Sequence, residues 1–193
     1  MKSNVLSGIK LAVFAIIAII IDQITKYFAT VNLSGNRDVI LIKNVLRLHY
    51  LDGGNKGAAW GMFSGKTFLF IIFTIVAIII IMKFVLNIQK LISNNETMAG
   101  KKSTIFLQYM LTLLMAGAFG NLLDRSIHHY VIDFIYFELI DFPIFNVADC
   151  YVTVSCIIIL IICLFYLKDD LFNSIFTLKG NKLSEDDEKE NAE

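Results

Sequence analysis

The residues of this sequence that could carry out chemistry are carboxylates placed beside long apolar segments. Four aspartates have this position: Asp22, Asp124, Asp133 and Asp149. An ionisable side chain inside a membrane costs about 2.5 to 3.5 kcal/mol on insertion, so each is a candidate for a functional role. Two carboxylates a few ångströms apart cannot both ionise, and such a pair holds a shared proton near neutral pH. One member can activate water while the other protonates a carbonyl oxygen, which is the chemistry of peptide hydrolysis.

Two of the four aspartates have a structural explanation in their neighbours. Asp22 precedes Lys26 by four residues, the favourable order for an ion pair on a helix, and the lysine stem can reach the interface. Asp124 is followed directly by Arg125, which predicts a second structural pair at the end of a helix. Asp133 differs, because apolar residues flank it on both sides with no cation nearby in sequence. A buried carboxylate requires a partner, so a role for Asp133 remains to be explained.

Asp149 also has a local explanation. The pattern Asn146-x-x-Asp149 stands just after Pro143 and just before an apolar run, which is the form of a capping box in which the carboxylate also faces the helix dipole. The residue types alone favour this capping role over catalysis. If Asp133 and Asp149 meet in the folded protein, they instead form the two-carboxylate site, and that chemistry requires no metal.

Other catalytic groups are weakly represented. No serine stands in a nucleophile-elbow setting, and Cys150, Cys156 and Cys163 share one apolar stretch, where they fit as small core residues with free thiols. His128 and His129 are adjacent and therefore point in different directions in any regular structure. We expect no metal site from them.

Composition indicates a membrane protein of one domain. The chain has 193 residues and 56% hydrophobic residues, and its mean hydropathy is +0.68, which is too apolar for an ordinary soluble domain. A formal net charge of +0 gives no basic surface for nucleic acid, so we expect no nucleic-acid partner. We predict a single membrane-embedded domain over residues 1–168, followed by a charged, disordered cytoplasmic tail over residues 169–193.

Four apolar stretches are long enough to cross the hydrocarbon core as helices. They lie at approximately residues 9–27, 67–86, 104–123 and 150–167. The first resembles a signal peptide but lacks a cleavage site, so we expect it to be a retained span. An even number of spans places both termini on one side, together with the Lys-rich connection 83–102, and the positive-inside rule makes that side the cytoplasm. The four aspartates then lie towards the extracytoplasmic side.

The two connections on the extracytoplasmic side differ in character. Val39 to Ile42 and Val45 to Leu51 are short β-prone runs, and Asp52-Gly53-Gly54-Asn55 is a strong turn signal. We therefore predict a small extracytoplasmic sheet. The loop between spans three and four is rich in Tyr and Phe, which is typical of a segment at the lipid–water interface.

Five sequence blocks resemble those of the lipoprotein signal peptidases, also called type II signal peptidases. They occur in order along the chain and in matching positions: Asp22-x-x-x-Lys26, Asn55-x-Gly57-Ala58-Ala59, Gly120-Asn121-x-x-Asp124-Arg125, Val131-x-Asp133-Phe134 and Phe145-Asn146-x-Ala148-Asp149. Any one block is weak evidence, but all five together are specific. The resemblance extends from the first span to the fourth.

The resemblance implies an α-helical polytopic membrane protein with four transmembrane helices, an extracytoplasmic β-cradle (about residues 32–63) and a short amphipathic lid (about 126–146). It implies an aspartyl dyad at Asp133 and Asp149, without metal or cofactor, and this overrides the preference for a purely capping role of Asp149. It also implies the substrate, a prolipoprotein with diacylglycerol on its lipobox cysteine, cleaved just before that cysteine. Residues expected to bind substrate or shape the pocket are Asn55, Gly57, Asn121, Arg125 and Asn146. Asp22, Lys26 and Asp124 match structural polar positions.

The resemblance further implies a monomer in the bacterial cytoplasmic (inner) membrane, in contact with membrane lipid, with its site on the extracytoplasmic side. Two other functions fit the residues without it. In one, the four aspartates bind Mg²⁺ in a lipid-phosphate enzyme. In the other, membrane carboxylates relay protons in a small transporter, although carboxylates at the midplane would then be expected.

Overall fold

Four long helices form the body of the protein. The computed structural model describes residues 2–35, 37–57, 67–93, 101–167 and 175. The helices are α1 (Lys2–Leu33), α2 (Thr67–Ser93), α3 (Lys101–His128) and α4 (Val147–Phe165). Each is long and apolar enough to cross a membrane. The prediction of a four-span membrane protein is confirmed.

The helices continue beyond several of the predicted span ends. α1 runs to Leu33 and α3 to His128, so Asp124 and Arg125, which were predicted at the end of a helix, lie inside α3. The extensions occur because polar residues can keep helical backbone hydrogen bonds past the end of an apolar run. Left-handed residues follow both helices, with φ of 78° at Gly35 and 67° at His129, which is a common way for a helix to end.

α3 is the central helix of the bundle. It packs against α1, α2 and α4, and Gly117 and Gly120 make its closest approaches. A Cβ atom at Gly117 would lie 2.6 Å from the carbonyl oxygen of Ala148, and one at Gly120 would lie 2.5 Å from Oδ2 of Asp22. These glycines therefore bring α3 against the start of α4 and against α1, because small residues let helices in a membrane approach closely.

A small antiparallel sheet covers one end of the bundle. Its strands are β1 (Val39–Ile42), β2 (Leu46–Leu48) and β3 (Ile135–Tyr136), in that spatial order. Leu48 pairs with Val39 on one side and with Ile135 on the other. An apolar cluster attaches the sheet to the helices: Ala29, Leu33, Leu48, Tyr50, Phe134, Ile135 and Val147.

The first two strands and the turn that follows them were predicted, whereas β3 was not. β3 has only two residues, which pair with β2 on one side, while Ile135 forms a single bridge with Phe145 on the other, so no pattern within its own segment indicates a strand. A short 3₁₀ helix (Glu138–Ile140) follows it in the predicted lid region. Residues 58–63 of the predicted cradle lie outside the described residues.

One residue of the predicted free tail is packed into the bundle. Ile175 is fully buried among Leu11, Val85, Ile88 and Leu107 at the end of the bundle away from the sheet. Its carbonyl oxygen accepts a hydrogen bond of 3.1 Å from Nδ2 of Asn87. The predicted disordered tail over residues 169–193 therefore does not hold at this position, because Ile175 stands in a part of the sequence that also contains Leu171, Phe172 and Phe176 and can fill an apolar site.

Candidate active site

Asp133 lies on an extended segment that is hydrogen-bonded on both sides. Its carbonyl oxygen accepts from the backbone N–H of Leu51 at 3.1 Å, and the next residue, Phe134, donates to the carbonyl oxygen of Phe145 at 3.0 Å. Two residues earlier, Val131 and Asn55 exchange a pair of backbone hydrogen bonds. The backbone around this buried carboxylate is therefore fixed by neighbours distant in sequence.

Asp149 lies in the first turn of α4 and takes part in the predicted capping box. The side-chain oxygen of Asn146 accepts from the backbone N–H of Asp149 at 3.0 Å, and Oδ2 of Asp149 accepts from the backbone N–H of Asn146 at 3.2 Å. The capping prediction is confirmed. The box holds the carboxylate at the positive end of the helix dipole.

The fully buried Asn146 connects Asp149 to Asp133. Its Nδ2 donates to Oδ1 of Asp133 at 2.6 Å, while its backbone N–H donates to Asp149 at 3.2 Å. The two carboxylates thus meet around a single residue, and the charge of Asp149 acts on Asp133. Capping and participation in a two-carboxylate site are therefore compatible for Asp149.

Two further asparagines orient the carboxylates. Nδ2 of Asn55 donates to Oδ2 of Asp133 at 2.9 Å, and the backbone N–H of Gly57 holds the other end of that amide at 3.0 Å. Nδ2 of Asn121 donates to Oδ1 of Asp149 at 2.8 Å. Each carboxylate therefore accepts two N–H groups, and Asn55, Gly57 and Asn121 lie beside the two carboxylates.

A buried ion cluster lies directly beneath this pair. The ammonium group of Lys26 contacts Oδ2 of Asp22 at 2.8 Å and Oδ2 of Asp124 at 2.9 Å. Its third contact is Oδ1 of Asn121 at 3.0 Å, so its three N–H donors each have an acceptor. The predicted Asp22–Lys26 pair is confirmed, and Asp124 joins it from another helix.

The ion cluster also holds the backbone beside each member of the dyad. Oδ1 of Asp22 accepts from the backbone N–H of Ala148 at 2.9 Å, and Oδ2 of Asp124 accepts from that of Ile132 at 3.1 Å. Ala148 precedes Asp149 and Ile132 precedes Asp133. The structural aspartates therefore fix the two segments that carry the candidate dyad.

Sequence reasoning missed Gln23 as a member of this cluster. Its Nε2 donates to Oδ2 of Asp22 at 3.1 Å and to Oδ1 of Asp124 at 3.0 Å. The available signal was a third polar residue, between Asp22 and Lys26, in an otherwise apolar span. Gln23 neutralises no charge, but it satisfies carboxylate lone pairs that Lys26 does not reach.

Arg125 does not form the pair predicted with Asp124. Its Nη2 lies 3.5 Å from the carbonyl oxygen of Gly57, and its guanidinium carbon lies 5.2 Å from the centre of the Phe70 ring. The charges of Asp149 and Asp133 act on it. Arg125 therefore faces the two-carboxylate site, because the ammonium group of Lys26 already occupies Asp124.

Asp133 lies outside the spanning helices, and its carboxyl group has a raised pKa. Its pKa is raised from the ordinary value of 3.8 to about 7. The largest cause is burial, which disfavours the charged form, and the next is the negative charge of Asp149. The N–H groups of Asn55 and Asn146 and the charge of Lys26 oppose the increase. Near neutral pH the pair can therefore hold one proton, which is what general acid–base hydrolysis requires.

The arrangement separates the four aspartates into two functional groups. Asp22 and Asp124 bind the ammonium group of Lys26, so they are not free to join Asp133 and Asp149 as ligands of one magnesium ion. Within the described ranges, no group of three or more His, Cys, Asp or Glu side chains has the geometry of a metal site. Asp133 and Asp149 lie beside the sheet and in the first turn of α4, at one end of the bundle, whereas a proton relay is expected to place carboxylates along the middle of the spans.

Comparison with known proteins identifies the family. The family model for signal peptidase (SPase) II matches residues 14–165, a range that includes every residue of the site. The chain belongs to the signal peptidase II family. It is therefore a membrane-embedded peptidase.

Curated relatives are similar to this peptidase over most of their length. The lipoprotein signal peptidase of Clostridium tetani is 38% identical over 161 residues, which cover 82% of this chain and 92% of the relative. That of Staphylococcus haemolyticus is 36% identical over 151 residues, which cover 77% and 87%.

Solved structures of bacterial membrane enzymes share the fold of this chain. One, described as a bacterial membrane enzyme determined by the in meso method at 2.3 Å resolution, superposes with a TM-score of 0.64 at 32% identity and covers 90% of this chain and 94% of its own. Another such bacterial membrane enzyme, at 1.9 Å resolution, gives a TM-score of 0.62 at 33% identity and covers 82% and 94%.

Proposed function

We propose that this peptidase is an aspartic endopeptidase that cleaves diacylglyceryl-modified prolipoproteins just before the lipidated cysteine, with Asp133 and Asp149 as its catalytic residues. The observation that supports this most is the meeting of the buried carboxylate of Asp133 and the half-buried carboxylate of Asp149, from separate elements, around Asn146. The names of the relatives support the substrate class. The magnesium enzyme and the transporter have no comparable support.

The two carboxylates have different roles in the proposed reaction. Asp149, which accepts N–H groups from Asn121 and Asn146 at a helix start, is the ionised base that takes a proton from the attacking water. Asp133, whose pKa is about 7, is the protonated acid that donates to the scissile carbonyl oxygen. The proton taken by Asp149 then passes to the leaving nitrogen as the C–N bond breaks, and the hydroxyl formed from the carbonyl oxygen returns its proton to Asp133, which restores the starting protonation of both groups. The reaction consumes one water and requires no metal or cofactor.

The residues around the dyad bind substrate or shape its pocket. Arg125 and Gly57 form one wall beside the carboxylates, and Asn55, Asn121 and Asn146 fix their orientation. Asp22, Lys26 and Asp124 are structural. We place the protein as a monomer in contact with membrane lipid in the bacterial inner membrane, with the sheet and dyad extracytoplasmic and both termini cytoplasmic.

Cleavage of a lipidated precursor tests the proposed function. The purified protein, incubated with a diacylglyceryl prolipoprotein in detergent or vesicles, should release the signal peptide, with the new N-terminus at the lipidated cysteine. Addition of EDTA should leave the rate unchanged, because the dyad activates water without a metal ion. The unlipidated precursor serves as the control for lipid recognition. Loss of activity in EDTA, or cleavage at another bond, would contradict the proposal.

The pH dependence of cleavage should report the proton on Asp133. Because this group must be protonated to act as the acid, the rate should fall as pH rises through about 7. The Asn55 amide donates to Asp133 and stabilises its ionised form, so Asn55→Ala should raise the pKa further and move the alkaline limb upward by roughly one pH unit. Asn32→Ala, which removes an exposed amide bonded to the carbonyl oxygen of Phe28, is the control.

The measurement is the midpoint of the alkaline limb in a pH–rate profile, independent of the maximal rate. A limb that stays in place or moves to lower pH in Asn55→Ala would show that Asn55 does not act on the catalytic proton.

A further inference from the structure

The edge strand of the sheet carries an exposed apolar surface. All four residues of β1 are exposed, with fractional exposures of 46% for Val39, 64% for Ile40, 53% for Leu41 and 55% for Ile42. A sheet edge in water is ordinarily protected by charged residues, because an apolar edge promotes aggregation. This strand therefore has the composition of a surface that something else covers.

The 3₁₀ helix extends the same surface. Leu139 and Ile140 are 61% and 65% exposed, and the backbone N–H of Leu139 donates to the carbonyl oxygen of Val45, just after β1, at 3.4 Å. Glu138 also forms an ion pair with Arg47 on β2. We call the exposed apolar residues of these two elements the apolar rim: Val39, Ile40, Leu41, Ile42, Leu139 and Ile140. Exposed apolar residues grouped in this way mark an interface.

We propose that the apolar rim inserts into the surface of the lipid bilayer on the side where the dyad lies. Exposed apolar residues of α1 continue into its last two turns, at Tyr27, Phe28 and Val31, shortly before the helix end at Leu33. β1 begins only six residues after that end. The rim thus starts where the membrane-facing surface of the bundle stops, which makes lipid the partner that the structure favours.

Physical constraints limit how deeply the rim can lie. β1 is an edge strand, so its outer backbone groups have no partners in the sheet, and open sheet edges are not stable in hydrocarbon. The rim must therefore lie at the boundary of headgroups and acyl chains, about 5 to 10 Å deep. Lys43, exposed in the turn after β1, can extend its ammonium group to lipid phosphates from that level.

This placement is independent of the proposed catalytic reaction and has a consequence for the site. β3 and the 3₁₀ helix follow Asp133 directly in the chain. A rim anchored in lipid therefore holds the dyad at a fixed height relative to the membrane surface.

Depth-dependent quenching of tryptophan fluorescence tests the proposal. The protein has one tryptophan, Trp60, so a Trp60→Phe background allows a single probe at Leu41→Trp or Ile140→Trp in the full chain. Ile16→Trp, at an exposed position in the middle of α1, is the matched control for a deep residue. All three sites are exposed, so the larger ring should fit without repacking. The variants are reconstituted in vesicles of phosphatidylcholine and phosphatidylglycerol that contain lipids spin-labelled near the headgroup or near the chain end.

The probes at positions 41 and 140 should be quenched at least twofold more by the shallow label than by the deep one, and Ile16→Trp should show the reverse order. Aqueous acrylamide should quench the two rim probes weakly. Strong acrylamide quenching without lipid quenching would place the rim in water and overturn the proposal. Protection from both quenchers would mean that protein, either a second copy or bound substrate, covers the rim, and would overturn it equally.

Discussion

Replacement of either Asp133 or Asp149 by asparagine should lower kcat for prolipoprotein cleavage by about 10⁴-fold, because an amide can neither accept the proton from water nor exchange a shared proton. Asparagine has nearly the same shape and can still accept from Asn146 through its oxygen, so each variant should remain folded and inserted. Cells that carry either variant as their only copy should accumulate uncut diacylglyceryl prolipoprotein.

Two comparisons make this test specific. The double variant Asp133→Asn/Asp149→Asn should be no slower than the singles, because the two groups act as a unit. Asp141→Asn, which changes an exposed carboxylate bonded to the Tyr136 hydroxyl in the same loop, should keep nearly full activity. More than a tenth of the normal rate in either dyad variant would refute the assignment.

Replacement of Lys26 by methionine should be the most destabilising single change in the polar cluster. It leaves the buried carboxylates of Asp22 and Asp124 without their cation, and loss of one partner from a buried ionic group costs about 3 to 5 kcal/mol. For a protein of this size the loss corresponds to a fall in Tm of roughly 10 °C, measured by thermal unfolding in detergent.

A variant that removes all three charges shows whether the instability of Lys26→Met comes from unpaired charge or from lost packing of the lysine stem. In Asp22→Asn/Lys26→Met/Asp124→Asn no unpaired charge remains, and the two asparagine oxygens can still accept from the backbone N–H groups of Ala148 and Ile132. This triple variant should recover most of the lost Tm. If it is as unstable as Lys26→Met alone, packing of the lysine stem, and not its charge, stabilises the bundle.

The ion cluster and the dyad are connected through the backbone. Asp22 and Asp124 hold the residues that precede Asp149 and Asp133, and Lys26 itself contacts Asn121, which donates to Asp149. Damage to the cluster should therefore also slow cleavage at temperatures where the protein is folded. Asp22, Lys26 and Asp124, for which the sequence predicted a structural role, thus determine the geometry of the proposed catalytic groups.

Features that depend on near neighbours were predictable from sequence. The lengths of the apolar runs determined the four spans, the β-prone residues before Gly53 and Gly54 determined β1 and β2, and Asn146-x-x-Asp149 determined the capping box. Each of these rests on interactions within a few residues or on transfer of a whole segment into lipid, so composition and spacing suffice.

Features that depend on contacts between distant segments were not predictable in the same way. β3 forms because β2 lies beside it. Lys26 contacts Asp124, which is nearly a hundred residues away in the sequence. Arg125 faces the dyad because the carboxylate of Asp124, its neighbour in sequence, is bound to Lys26. Local physics alone favoured a cap at Asp149, and only the resemblance to a family indicated a pair with Asp133.

The sequence by itself determined that the chain resides in a membrane, which four stretches span it, and which side chains are too costly to bury without a purpose. Only the tertiary structure decided which of those side chains meet. The reason is that partner choice depends on how closely the helices approach at Gly117 and Gly120 and on the ladder that holds Asp133, and neither is encoded within one segment. Burial then follows from assembly, and burial together with the charge of Asp149 raises the pKa of Asp133 to about 7.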